Sequence, residues 1–123
     1  ERRKFFNDKR IAESTIETLV NLREKFNFNL YSYCLMPDHF HSLIGIGDSE
    51  MSLGRICGAF KSLSNREFWK YHDGKMWQRQ FYDHVIRNQQ DFEETVKYIR
   101  LNPVEAKLVE NWKDWKWTRE PDL

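Results

Sequence analysis

The chain has 123 residues, of which 40% are hydrophobic, 15% aromatic and 32% charged, and it nets +1 at neutral pH. This excludes collagen-like, low-complexity and disordered chains as well as a globally polycationic binder, and the length fits one domain over residues 1–123. No apolar run approaches the ~20 residues of a membrane helix. The start, Glu1-Arg2-Arg3-Lys4-Phe5-Phe6, carries neither a signal-peptide pattern nor an initiator Met, and reads as a trimmed piece of a cytoplasmic protein.

In chain order, Asn7 or Asp8 caps a first helix over 9–26, where Ala12, Ile16, Leu19, Leu22 and Phe26 recur at three- and four-residue intervals. Phe28 to Met36 reads as an aromatic-rich strand, Pro37-Asp38 as a turn, and His39 to Ile46 as a second strand antiparallel to the first. A second helix runs from Ser52 to Tyr71 with Leu53, Ile56, Cys57, Phe60 and Leu63 as its buried stripe. His72 lies in a turn, and Met76 to Ile86 reads as a short strand. Asp91 opens a third helix with Glu94 as its capping-box partner, and Pro103 ends or kinks it at Asn102. Trp112 to Trp117 reads as a last strand whose tryptophans pack the tail onto the sheet. The order α-β-β-α-β-α implies an α+β sandwich with helices packed on one antiparallel sheet.

Charge is uneven. Residues 55–87 hold seven Lys/Arg against three Asp/Glu, interleaved with Phe60, Phe68, Trp69, Tyr71, Trp77, Phe81 and Tyr82. Cations that follow phosphates and rings that stack on unpaired bases suit single-stranded nucleic acid, although such rings also fill cores. Lys61 and Arg79 are the foremost phosphate-contact candidates, and His84 reads as a solvated histidine. Cys34 and Cys57 have no metal-type spacing and read as small buried hydrophobes.

Two groups of residues carry chemistry. His39 and His41 flank Phe40 on a strand, so both imidazoles share one face and suit chelation of a divalent metal. The bland reading is two surface histidines. Tyr98 and Asn102, four apart, share a helix face, while Phe92, Val96 and Ile99 occupy the arc that packs on the sheet. The Asn102 amide oxygen would complete a two-His, one-amide metal site; a rim tyrosine and a C-terminal cap are the plain alternatives. A phenol is a weak nucleophile near neutrality unless helped, and a metal beside it polarises a phosphodiester. Tyr98 would then attack phosphorus, leaving a 5′-phosphotyrosine and a free 3′-hydroxyl that can be rejoined without ATP.

The segments YCLMPDHFHSLIGI, FKSLSNREF, WQRQFYDHVIRN and YIRLNPVEAKLV, in that order from about Phe28 to Val109, resemble the single-tyrosine HUH transposases, IS200-like enzymes, and most nearly the REP-associated tyrosine transposases. MPDHFH followed about sixty residues later by YIxxNPV carries the likeness. The resemblance implies a ferredoxin-like fold, Mg²⁺ or Mn²⁺, and cleavage and joining of single-stranded DNA at hairpin-bearing sequences. It implies Tyr98 as nucleophile, His39, His41 and Asn102 as metal ligands, and Lys61, Arg66, Arg79, Tyr82 and Arg87 in DNA-binding segments. Two departures stand out: the sequence starts at or after the end of the family's first strand, and Glu105 replaces a more usual basic residue. Monomer and homodimer, with a site built in one chain or across two, both stay open. The alternatives are a non-cleaving DNA-hairpin binding module of the same fold, and a phosphoesterase that uses water with Tyr98 merely structural.

Overall fold

Capping and apolar spacing build α1 (Lys9–Phe26): Asp8 accepts from the Arg10 N–H at its start, and Asn27, in the left-handed region at φ 56°, ends it. The computed structural model describes residues 4–77 and 88–123. β1 (Asn29–Met36) and β2 (His39–Gly45) form an antiparallel hairpin closed by Pro37 and Asp38 alone. Ser52 caps α2 (Leu53–Phe68), whose buried residues are Ile56, Phe60, Ser64 and Phe68, with Cys57 and Leu63 half-buried beside them. The predicted strand over 76–86 falls mostly on residues outside those described.

Three expectations for the C-terminal third change. The third helix, α3 (Gln89–Glu105), starts two residues early because Asn88, not Asp91, caps it by accepting from the Asp91 N–H. Glu94 accepts instead from the Gln90 side chain. Pro103 does not end the helix, because it sits buried in the last turn, where only one backbone bond is forfeited. Lys107 adopts φ 60°, and the N–H groups of Lys107 and Leu108 return to the carbonyls of Val104 and Pro103, closing the helix after Glu105, three residues later than predicted. The tail from Trp112 to Asp114 is a 3-10 turn, and the last strand, β3 (Thr118–Arg119), follows it.

The described sheet has the order β2-β1-β3, antiparallel throughout, and the α+β architecture is as expected. Helices cover both faces. Leu30, Tyr33, Leu35 and Phe40 pack against α1 and α2, whereas Cys34, Met36 and Leu43 pack against Val96 and Ile99 of α3. The tryptophans do pack the tail down: Trp115 Nε1 donates to Leu35 O, and the Leu35 N–H donates to Trp117 O. Among the described residues no helix is long and apolar enough to cross a membrane.

Asp122 ties the tail to α1 and β1, accepting from the Arg23 guanidinium and, at 2.6 Å, from the Leu30 N–H. The Arg23 hydrogen bond, against burial and with help from Leu30, holds the Asp122 carboxyl below the usual carboxylate range. A depressed carboxyl contributes its stabilisation in full above its unfolded value of ~3.9 and loses it as pH falls through the folded value. Asp122→Asn should therefore cost about 1–2 kcal/mol at pH 7. Calorimetry across pH should show the two proteins converging below pH ~4.

Candidate functional site

The two-residue turn starts β2 at His39, and strand alternation does the rest. Phe40 turns into the core beside Phe60 and Trp77, while His39 and His41 stand on the α3 side. Their rings meet edge to face, with centroids 4.7 Å apart, and both side chains are half-buried. Asp38 Oδ1 lies 2.6 Å from His39 Nδ1. The turn itself is held by the Phe6 N–H, which donates to Pro37 O at 3.0 Å.

α3 crosses this face with Val96, Ile99 and Pro103 buried, leaving Tyr98 56% exposed on another arc. The Tyr98 ring stands perpendicular to His41 at 5.5 Å between centroids. Asn102, half-buried one turn further on, donates from Nδ2 to Tyr98 O, a bond that does not use its Oδ1. Arg100, between them in sequence, reaches away from Tyr98, donating twice to Glu120 at 2.7 and 2.9 Å and lying over the Trp112 ring.

A β-bulge supports the other end of α3. The β1–β2 register slips between Leu30 and Ser32, so the extra residue, Tyr31, joins the α3 side. Its ring lies where a Gly45 side chain would be, since a Cβ there would meet Tyr31 Cε2 at 2.6 Å. Tyr31 in turn meets Phe92 edge-on at 5.1 Å.

The structure thus brings His39, His41 and Tyr98 together, with Asn102 on the tyrosine's helix. It does not bring Lys61 or Arg66 to them: both sit on α2, which packs on the opposite face of the sheet, Lys61 half-buried and Arg66 exposed. Arg79, Tyr82, His84 and Arg87 lie outside the described residues. Glu105 is exposed at the end of α3. Among the described residues no three His, Cys, Asp or Glu side chains cluster to hold a metal. Burial pushes the Cys34 thiol up to about 11, keeping it a protonated core group. Sequence reasoning passed over Asp38 and Arg100. Asp38 carried a signal, an acidic residue immediately before a strand histidine, whereas the partner of Arg100 lies twenty residues away in the tail.

Residues 1–102 match the family described as transposase IS200-like. A Haemophilus influenzae protein assigned as a REP-associated tyrosine transposase is 29% identical over 110 residues, covering 77% of this chain and 60% of that protein. The REP-associated tyrosine transposase of Escherichia coli K12 is 24% identical over 102 residues, covering 81% of this chain and 59% of that protein. The chain therefore spans about three-fifths of the length of these curated relatives. A solved REP-associated tyrosine transposase bound to a REP hairpin has the same fold, with a TM-score of 0.81 at 19% identity over 96% of this chain and 68% of the other.

Because Tyr98 is exposed and its helix is anchored by other residues, Tyr98→Phe should fold normally. Its unfolding free energy should stay within about 0.5 kcal/mol of wild type in urea titrations; a larger loss would mean that the hydroxyl supports the fold.

Proposed function

The chain belongs to the transposase IS200-like family, and from that premise we propose that it is the catalytic domain of a metal-dependent single-stranded DNA endonuclease and strand transferase. The observation that carries this reading is the contact of the Tyr98 ring with His41 within one chain. The substrate class is single-stranded DNA bearing hairpins, as in the related protein solved with a REP hairpin, and the setting is the cytoplasm.

His39, His41 and Asn102 would hold the divalent cation, Mg²⁺ or Mn²⁺. The donor set fits: two imidazole nitrogens and one amide oxygen are neutral ligands that accept several divalent ions. When bound, the cation would polarise the phosphodiester and offset charge growing on its non-bridging oxygens. Tyr98 supplies the nucleophile. Its phenolic oxygen bonds to phosphorus and gives up its proton, while the bond from phosphorus to the 3′ oxygen breaks and that oxygen becomes a hydroxyl. The product is a 5′-phosphotyrosine, whose ester a 3′-hydroxyl can attack in the reverse sense without ATP. Lys61, Arg66, Arg79, Tyr82 and Arg87 would contact the DNA.

Covalent capture tests this reading. Wild type mixed with labelled hairpin-bearing single-stranded DNA and Mn²⁺ should give a shifted band on a denaturing gel, and Tyr98→Phe or a chelator should remove it. Hairpin binding without any such band would make the chain a binding module. Hydrolysis that survives Tyr98→Phe would make water the nucleophile. For the α2 cations, Lys61→Ala and Arg66→Ala should each weaken binding to all sequences alike and reduce the slope of log K against log salt by about one. An unchanged slope removes that residue from the interface.

A further inference from the structure

The geometry points to Asp38 as a positioning residue for His39: its carboxylate accepts a hydrogen bond from Nδ1–H, fixing the imidazole in the tautomer that offers Nε2 to a divalent cation. This rests on reading His39 and His41 as metal ligands. Three observations support it. First, the Nδ1 to Oδ1 separation of 2.6 Å is that of a short charge-assisted hydrogen bond. Secondly, the two side chains are only 29% and 27% exposed, so water competes weakly for either partner. Thirdly, consecutive strand residues face opposite ways and could not make this contact. Asp38 makes it because it lies in the two-residue turn, whose position the Pro37 ring and the Phe6 N–H hold.

The consequence is orientational as well as electronic. A half-turn about the Cβ–Cγ bond exchanges Nδ1 with a ring carbon, so an unpaired imidazole would populate two flips and two tautomers. The carboxylate selects one of the four. Partners of this kind on ligating histidines raise metal affinity by about 10–100-fold. The bonded Oδ1 faces the Nδ1 side of the ring, which distinguishes Asp38 from a ligand sharing the Nε2 cation.

The test compares wild type, Asp38→Ala, Asp38→Asn and His41→Ala, with thermal unfolding as a check on folding. Long-range ¹H–¹⁵N spectra of the metal-free proteins report the His39 tautomer, and Mn²⁺ titration followed by electron paramagnetic resonance reports affinity. Wild type should show protonated Nδ1. Asp38→Ala should lose that preference and bind Mn²⁺ about 10–100-fold more weakly. Asp38→Asn, whose amide oxygen still accepts, should keep the tautomer and lose less than about tenfold. Wild-type tautomer and Mn²⁺ affinity in Asp38→Ala overturn the proposal, as does weakened binding with an unchanged tautomer, since Asp38 would then act by charge alone. Equal Mn²⁺ binding by wild type and His41→Ala instead overturns the metal-site reading, and the tautomer spectra then report on the Asp38 contact separately.

Discussion

The two-residue turn at Pro37 and Asp38 is the constraint from which the site follows. A hairpin loop that short leaves no freedom in register, and the register decides which side chains of β2 face which layer. Because Met36 pairs with His39 and Leu35 with Phe40, Phe40 enters the core against α2 and the two histidines emerge together on the α3 side. A slip of one residue would turn both imidazoles toward the α1–α2 core and Phe40 toward the α3 side. The opposing burial of Phe40 and the pinning of Pro37 O by Phe6 are therefore what keep His39 and His41 in place.

The hairpin also sets where α3 lies. Perfect alternation along β1 would put Tyr31 on the α1–α2 side, with Tyr33 and Leu35. The bulge moves it across, and Gly45 gives its ring room. Phe92 rests edge-on against that ring near the start of α3, while Val96 and Ile99 meet Cys34, Met36 and Leu43 further along. One irregular residue in β1 and one missing side chain in β2 thus help deliver the tyrosine helix to the histidine row. Local pattern reading cannot anticipate this, since a bulge depends on two strands and a helix at once.

What was legible follows the same division. α1, the hairpin, α2 and the shared face of His39 and His41 rest on spacing and turn chemistry within a few residues, and the sequence already contained them. The sideways placement of Tyr98 and Asn102 was legible for the same reason, because 3.6-residue periodicity separates them from Val96 and Ile99. The cap of α3, its passage through Pro103 and the nature of the tail were not. Asn88 and Asp91 are both residue types that cap helices, so composition alone does not select between them. Burial of the Pro103 ring outweighs the local preference to stop, and β3 is two residues long, too short to leave a pattern. Asp38 was legible as a turn residue but not as a partner of His39, because that contact depends on the backbone course through the turn.

The tail explains how an exposed tyrosine can still be placed well. At 56% exposed, Tyr98 contributes little burial to hold its own helix. α3 buries only Val96, Ile99 and Pro103, a narrow stripe that leaves rotation about the helix axis weakly determined. The missing constraint comes from residues 112–122. Glu120 grips Arg100 from the side, Trp112 lies against the same guanidinium, and Trp115 and Trp117 fasten that segment to both polar groups of Leu35 in the central strand. The strap therefore joins α3 to β1 independently of the sheet-facing stripe, and two non-parallel attachments fix a helix's rotation where one does not. The placement of Tyr98 is thus supplied by Arg100 and the tail rather than by its own burial, which lets its side chain stay exposed.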